Sequence, residues 1–98
     1  MIGIYKIENK INGKVYIGQS IHIGQRWNEH LYQSSHCTLL KYALAKYGQE
    51  NFSFEVIEEC SQEELNEKEI YWIDFYQSYD NGYNLTRGGG GTLYFSVE

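Results

Sequence analysis

The stretch Gly3-Ile4-Tyr5-Lys6-Ile7 is rich in residues that favour β-strands, and Lys14-Val15-Tyr16-Ile17 is a second run of the same kind. Between them lies Asn12-Gly13, the dipeptide that most strongly indicates a β-hairpin. A two- or four-residue loop would place Tyr5 and Tyr16 on one face of the ribbon, whereas a three-residue loop would not. With a four-residue loop the two tyrosines lie about 7 Å apart. We therefore predict an opening hairpin with two tyrosines on the same face.

The rest of the chain alternates between helical and strand patterns. Ser20 is a candidate N-cap, and Gly48 a candidate C-terminal cap. Ser61-Gln62-Glu63-Glu64 has the pattern of a capping box. The third helix has an apolar side that includes Ile70, and Glu69 lies next to that side. The predicted elements after the hairpin are helices over about 20–32 and 38–46, a strand over 52–57 and a helix over 61–76, in the order ββααβα.

Length and composition restrict the chain to one small globular domain, since it has 98 residues, of which 42% are hydrophobic and 21% charged. No apolar run approaches the ~18 residues of a membrane span, and the N-terminus lacks the features of a signal peptide. Cys37 and Cys60 are too few for a disulfide framework. The adjacent His36 and Cys37 lack the ligand spacing of a structural zinc site. These features favour an intracellular, cytoplasmic protein with reduced thiols.

The net charge of -5 weighs against a stand-alone nucleic-acid binder, because phosphates are neutralised by Lys and Arg. The charge is unevenly distributed, however. Residues 1–50 contain six basic and three acidic side chains, whereas residues 51–98 contain two basic and ten acidic ones. A basic working face would give such a pattern, but from composition alone a scatter of solvated charges explains it better.

Five side chains stand out as candidates for chemistry. Tyr5 and Tyr16 share a hairpin face, and the spacing of Arg26 and His30 by four places them on one helix face. Glu69 interrupts an aromatic helix. Each residue also has a structural explanation, because strand tyrosines are often core residues and single charged residues usually lie on solvated faces. No single member of the set therefore establishes a function.

Together these residues resemble the GIY-YIG nuclease family. Gly3-Ile4-Tyr5 is followed by Tyr16-Ile17-Gly18, and Tyr16 lies eleven residues after Tyr5. A three-residue motif alone is a weak signal, but ordered motifs with compatible spacing are specific. The resemblance covers about residues 1–91, and its later motifs are Arg26–His30, Lys46–Gly48 with Phe52–Phe54, Glu69–Ile73 and Asn81–Thr86.

The resemblance implies an α+β fold, a small three-stranded antiparallel sheet flanked by three helices. It implies a catalytic domain over residues 1–87, and four consecutive glycines from Gly88 predict a linker or C-terminal tail over 88–98. It also implies a metal-dependent DNA endonuclease that hydrolyses phosphodiester bonds. Glu69 would hold one Mg²⁺ or Mn²⁺ per active site, because these hard cations prefer carboxylate oxygen.

The family resemblance also suggests roles for the other candidates. Arg26 would clamp a phosphate oxygen with its guanidinium group. Tyr5 would activate the attacking water and Tyr16 would orient it. A free tyrosine has a pKa near ~10, so this role requires a lowered pKa or a proton relay, for which His30 is the first candidate. The supporting residues are Asn84 near the site and His36, which lies in a variable stretch where some family members carry a functional histidine, shifted here by one position.

The glycine-rich ending resembles that of phage homing endonucleases, in which the catalytic domain is linked to a separate DNA-binding region. This leads us to expect weak intrinsic DNA specificity, a DNA-binding domain or partner elsewhere, no membrane contact, and a bacterial or phage-infected host. The oligomeric state is left open. One alternative is a structure-specific recombination or repair nuclease. Another is a catalytically silent binding module, which would have no need of the whole residue set.

Overall fold

The computed structural model describes residues 1–32 and 38–88, and the side chains of residues 1–28 and 39–88. Within these residues the three strands pair as one antiparallel sheet, so the predicted α+β class and the order ββααβα are confirmed. Two 3-10 turns, over 49–51 and 62–64, precede β3 and the last helix. The elements are β1 (Gly3–Asn9), β2 (Val15–Ser20), α1 (Ile23–Tyr32), α2 (Thr38–Tyr47), β3 (Phe52–Glu59) and α3 (Leu65–Tyr76).

The opening hairpin has the four-residue loop that keeps both tyrosines on one face. Asn9 donates its backbone N–H to the Lys14 carbonyl at 2.9 Å, which closes the loop. Gly13 has a φ of 78°, a left-handed conformation that glycine adopts without steric cost. Ile7 lies opposite Tyr16, and the centroids of the Tyr5 and Tyr16 rings are 6.3 Å apart. The predicted register is confirmed.

The sheet has the order β2-β1-β3, so β2 is an edge strand and β1 lies at the centre. Alternation of side chains along β1 divides the core between the two faces of the sheet. One face packs against α1 and α2, and its core consists of Tyr5, Ile7, Ile23, Leu40, Ala43, Phe52 and Tyr83. The other face packs against α3, and its core consists of Ile4, Val15, Ile17, Leu65 and Ile73.

The first two helices differ slightly from their predicted bounds. Helix α1 begins at Ile23 and not at Ser20, because the Ser20 hydroxyl oxygen accepts the His22 N–H at 2.8 Å and holds a turn before the helix. Helix α2 ends at Tyr47, one residue later than predicted. Gly48 has a φ of 88° and donates its N–H to the Leu44 carbonyl at 3.0 Å, so the predicted cap is confirmed.

The predicted capping box closes the 3-10 turn over 62–64 that leads into α3, and in it Ser61 donates its backbone N–H to Glu64 Oε1 at 3.2 Å. Helix α3 itself begins at Leu65, four residues later than predicted. Its buried residues are Leu65, Glu69 and Ile73, which follow each other at i, i+4 spacing. The prediction that Ile70 faces inward is wrong, since Ile70 follows Glu69 directly and is rotated out of this stripe. The buried stripe thus carries a carboxylate at its centre.

No helix in the described part of the chain is long and apolar enough to cross a membrane. The chain is described as far as Gly88, so all but the first residue of the predicted linker or tail over 88–98 lies outside the described residues. The boundary at residue 87 stays a prediction.

Candidate active site at the edge of the sheet

The Tyr5 ring crosses from the central strand over the edge strand. Tyr5 is 0% exposed, and its ring centroid lies 5.1 Å from that of Phe54. Gly18 lies directly opposite Tyr5 on β2, and a Cβ there would come within 2.4 Å of both Cζ and Oη of Tyr5. The absence of a side chain at Gly18 therefore gives the Tyr5 hydroxyl its place above β2.

The groups that shift the pKa of Tyr5 show which side chains lie around its hydroxyl. Burial raises its pKa to about 12, because desolvation disfavours the phenolate. The positive charge of Arg26, and hydrogen bonds with Arg26 and Tyr16, act in the opposite direction. The negative charge of Glu69 adds to the increase. Four of the predicted site residues, Tyr5, Tyr16, Arg26 and Glu69, are thus brought together.

Glu69 reaches this site from the opposite face of the sheet. It is 8% exposed and lies between Leu65 and Ile73 on α3, which packs against β2. Because β2 is an edge strand, side chains from the two faces can meet around its outer side. Gln19 Nε2 donates to Glu69 Oε1 at 3.0 Å.

Sequence reasoning missed Gln19. Its signal is the alternation along β2, in which Gly18 faces Tyr5 and Gln19 faces α3. A polar residue two positions after the buried Ile17 therefore lies at the end of the apolar face, where a polar partner on α3 is expected.

The chemistry of Glu69 fits a divalent cation. A buried carboxylate is costly unless it is paired or binds a metal. Mg²⁺ accepts one or two carboxylates and keeps several waters, so one glutamate at a sheet edge is a suitable donor. Among residues 1–28 and 39–88, no three or more His, Cys, Asp or Glu side chains are grouped so that they could hold a metal ion together, which excludes a metal cage built from those residues. The residues present therefore fit one hydrated ion held by Glu69.

Asn84 extends the edge strand. Its Oδ1 accepts the Ile17 N–H and its Nδ2 donates to the Ile17 carbonyl, both at 2.8 Å. Tyr83 donates its backbone N–H to the Val15 carbonyl at 3.0 Å. The side chain of Asn84 thus pairs with β2 as a further strand would, and it fixes the backbone between Tyr16 and Gly18.

Tyr83 is a second residue that sequence reasoning did not single out. Its hydroxyl oxygen accepts hydrogen bonds from Asn9 Nδ2 at 3.0 Å and Asn12 Nδ2 at 3.3 Å. The Gly-Tyr-Asn segment therefore holds both the hairpin loop and the outer edge of β2. Only the spatial contact reveals this role, since more than 70 residues separate the partners.

We expect Asn84→Ala to lower the free energy of unfolding by roughly 2–4 kcal/mol, because it leaves the Ile17 N–H and carbonyl without their partner and each buried unsatisfied group costs about 1–3 kcal/mol. Urea denaturation followed by circular dichroism measures the loss. The matched control is Asn81→Ala at an exposed position, for which we expect a change within about 0.5 kcal/mol. Equal losses in the two variants would contradict the assigned role of Asn84.

The side chains of the two predicted site histidines, His30 and His36, lie outside the described residues. His30 lies in α1, one turn after Arg26, and its side chain is outside the described residues. His36 lies outside them altogether. The roles of His30 as proton relay and of His36 as a supporting residue stay predictions.

Comparison with known proteins identifies the family of this chain. The sequence profile of the GIY-YIG catalytic domain matches residues 1–84. Intron-associated endonuclease 1 of Enterobacteria phage T4 is 35% identical over 89 residues, and the match covers 85% of this chain and 36% of that protein. The putative endonuclease segB of the same phage is 42% identical over 90 residues, and the match covers 89% of this chain and 38% of that protein.

The fold agrees as well. The solved catalytic domain of homing endonuclease I-TevI superposes with a TM-score of 0.80 and 29% identity, over 88% of this chain and 99% of that one. This chain spans less than half the length of the curated relatives it matches. Both the sequence match and the fold lead to one conclusion: this chain belongs to the GIY-YIG catalytic domain family.

Proposed function

We propose that this chain is the catalytic domain of a DNA endonuclease that hydrolyses phosphodiester bonds with one divalent cation, Mg²⁺ or Mn²⁺. The observation that carries the proposal is the meeting of Tyr5, Arg26 and Glu69 at the outer side of β2, which joins a hydroxyl, a fixed cation and a carboxylate of the type that metal ions bind. Phosphodiester hydrolysis requires such groups, because water must be positioned and charge on the phosphate must be stabilised. The names of the phage relatives support an endonuclease.

Arg26 and Glu69 would share the phosphate chemistry. Arg26 would bind a non-bridging phosphate oxygen, since its guanidinium is planar, permanently charged and able to donate two parallel hydrogen bonds. Glu69 would hold the cation, which when bound stabilises negative charge on the scissile phosphate and the leaving oxygen. Because the two side chains carry opposite charges, Arg26 would bind the phosphate and Glu69 the metal ion at the same edge of the sheet.

The tyrosines would act on the attacking water. With its pKa raised to about 12, the Tyr5 hydroxyl keeps its proton at neutral pH. To serve as a base it must pass that proton on as it takes one from water, and the predicted relay is His30. Tyr16 is less buried than Tyr5 and would orient the water or the phosphate.

Affinity for DNA would come largely from a separate DNA-binding domain or partner, with residues 88–98 as the predicted linker. The acidic total of -5 supports this, because few cations are available to neutralise phosphates. We also propose that the enzyme acts inside a bacterial or phage-infected cell, as expected for relatives of phage endonucleases.

Nicking of supercoiled plasmid tests the proposal. We expect the native chain to convert supercoiled to open-circular DNA with Mg²⁺ or Mn²⁺, and to stop when EDTA removes the metal. Activity that persists in EDTA would overturn the metal dependence, and no activity with any divalent metal would favour a silent binding module. Parallel reactions on branched and flapped duplexes distinguish the structure-specific alternative, which requires their preferential cleavage.

A further inference from the structure

Gln19 connects the edge strand to the candidate metal ligand. Its Nε2 donates to Glu69 Oε1 at 3.0 Å and to Asn66 Oδ1 at 2.9 Å. A primary amide has two N–H groups, and here each has its own acceptor. Because an ionised carboxylate only accepts hydrogen bonds, Glu69 determines that the nitrogen of Gln19, and not its oxygen, faces α3.

The backbone that carries Gln19 is held firmly. Gln19 lies opposite Ile4, which is fully buried in the central strand. Asn84 makes two hydrogen bonds to the backbone of Ile17, which lies two residues before Gln19 in β2. A hydrogen-bond donor on such a well-supported strand can fix the last side-chain torsion angle of a glutamate. Without such a partner, glutamate side chains adopt a broad range of values of this angle.

The chemical type of the donor is also significant. A lysine at position 19 would pair with Glu69 and neutralise the charge that attracts a cation. An amide engages one carboxylate oxygen by a hydrogen bond and leaves the formal charge of Glu69 unchanged. Hydrogen bonds of this kind to metal-binding carboxylates orient them, and their loss typically costs 10–100-fold in metal affinity or activity.

From this geometry we propose that Gln19 is a positioning residue, which fixes the Glu69 carboxylate in the orientation that receives the divalent cation. Asn66 serves as the second anchor, which keeps the Gln19 amide turned toward α3. The inference rests on the proposed function of Glu69 as the metal ligand.

Mn²⁺ titration followed by electron paramagnetic resonance tests the inference without reference to cleavage. We expect Gln19→Met, which keeps the length of the side chain and removes the amide, to raise the Kd for Mn²⁺ about tenfold or more. The matched control is Gln62→Met at an exposed position on the turn before α3, which should bind Mn²⁺ as the native chain does. The metal concentration for half-maximal nicking should rise in parallel with the Kd.

Asn66→Ala keeps the inference testable if Gln19→Met fails to fold. It removes the second anchor and should weaken Mn²⁺ binding by less than Gln19→Met does. The double variant Gln19→Met/Asn66→Ala should bind Mn²⁺ no more weakly than Gln19→Met alone, because both substitutions act through one contact. Native Mn²⁺ affinity in Gln19→Met, or in Asn66→Ala if only that variant folds, would overturn the inference. If Glu69→Gln also bound Mn²⁺ as the native chain does, the assignment of Glu69 would fail as well, which distinguishes the two failures.

Discussion

Replacing Glu69 with glutamine should lower the rate of metal-dependent nicking by about 100-fold or more, while the protein stays folded. The expected size follows from the loss of a metal ligand, since metal ions contribute several kcal/mol to transition-state stabilisation and each ~1.4 kcal/mol is tenfold in rate. Glutamine has the same shape, and its carbonyl oxygen can still accept the hydrogen bond from Gln19. The measurement is the rate of plasmid nicking at saturating Mg²⁺.

The stability of this variant should be equal to or above that of the native chain. Glu69 lies in the buried stripe of α3, and a neutral amide is less costly to bury than a carboxylate. Glu67→Gln, at an exposed position on the same helix, is the control and should nick DNA at the native rate. Nicking by Glu69→Gln at the native rate, or a loss of activity that follows unfolding, would contradict the role of Glu69.

Local sequence patterns predicted the secondary-structure elements that carry this site. Asn12-Gly13 indicated the hairpin, and the parity of its loop placed Tyr5 and Tyr16 on one face, because side chains alternate strictly along a strand. The capping box at Ser61 marked the start of α3 to within a few residues. These are short-range effects, which depend on residues only a few positions apart.

The contacts around the edge of β2 could not be predicted in the same way. The hydrogen bonds of Asn84 to Ile17 and of Gln19 to Glu69 join residues 50 to 67 positions apart. Their existence depends on sheet order and on which strand lies at the edge, and no periodicity in one segment encodes that. Family resemblance placed Asn84 near the site, but only the fold shows that it acts on the backbone.

Gly18, which ends the motif Tyr16-Ile17-Gly18, shows both what the sequence could predict and what it could not. The motif identifies the glycine, but only the fold shows why a glycine is needed there, because the ring of Tyr5 lies across it. The Tyr5 ring cannot move aside easily, because it is fully buried and packs against Phe54 and Tyr16. Any side chain at Gly18 must therefore displace the hydroxyl that the proposed mechanism requires.

We expect Gly18→Ala to destabilise the fold by about 1–3 kcal/mol, as overpacking of a tight core does, and to lower the nicking rate about 100-fold, since misplacement by ~1 Å is sufficient for such a loss. Thermal unfolding and plasmid nicking measure the two effects. The matched control is Gly24→Ala in α1, where an added Cβ meets nothing within 4 Å. That variant should keep native activity and be at least as stable as the native chain, because alanine favours the helix over glycine and Gly24 lies in the first turn of α1.

A second substitution separates the steric effect from a general loss of structure. Tyr5→Phe removes Oη, one of the two atoms closest to the added Cβ, so in the Gly18→Ala background it should restore part of the lost stability. It should not restore nicking, because the hydroxyl itself is gone. A Gly18→Ala protein that nicks DNA at the native rate would show that the position of the Tyr5 hydroxyl does not limit the reaction. Recovery of activity in the double variant would show that this hydroxyl takes no part in it.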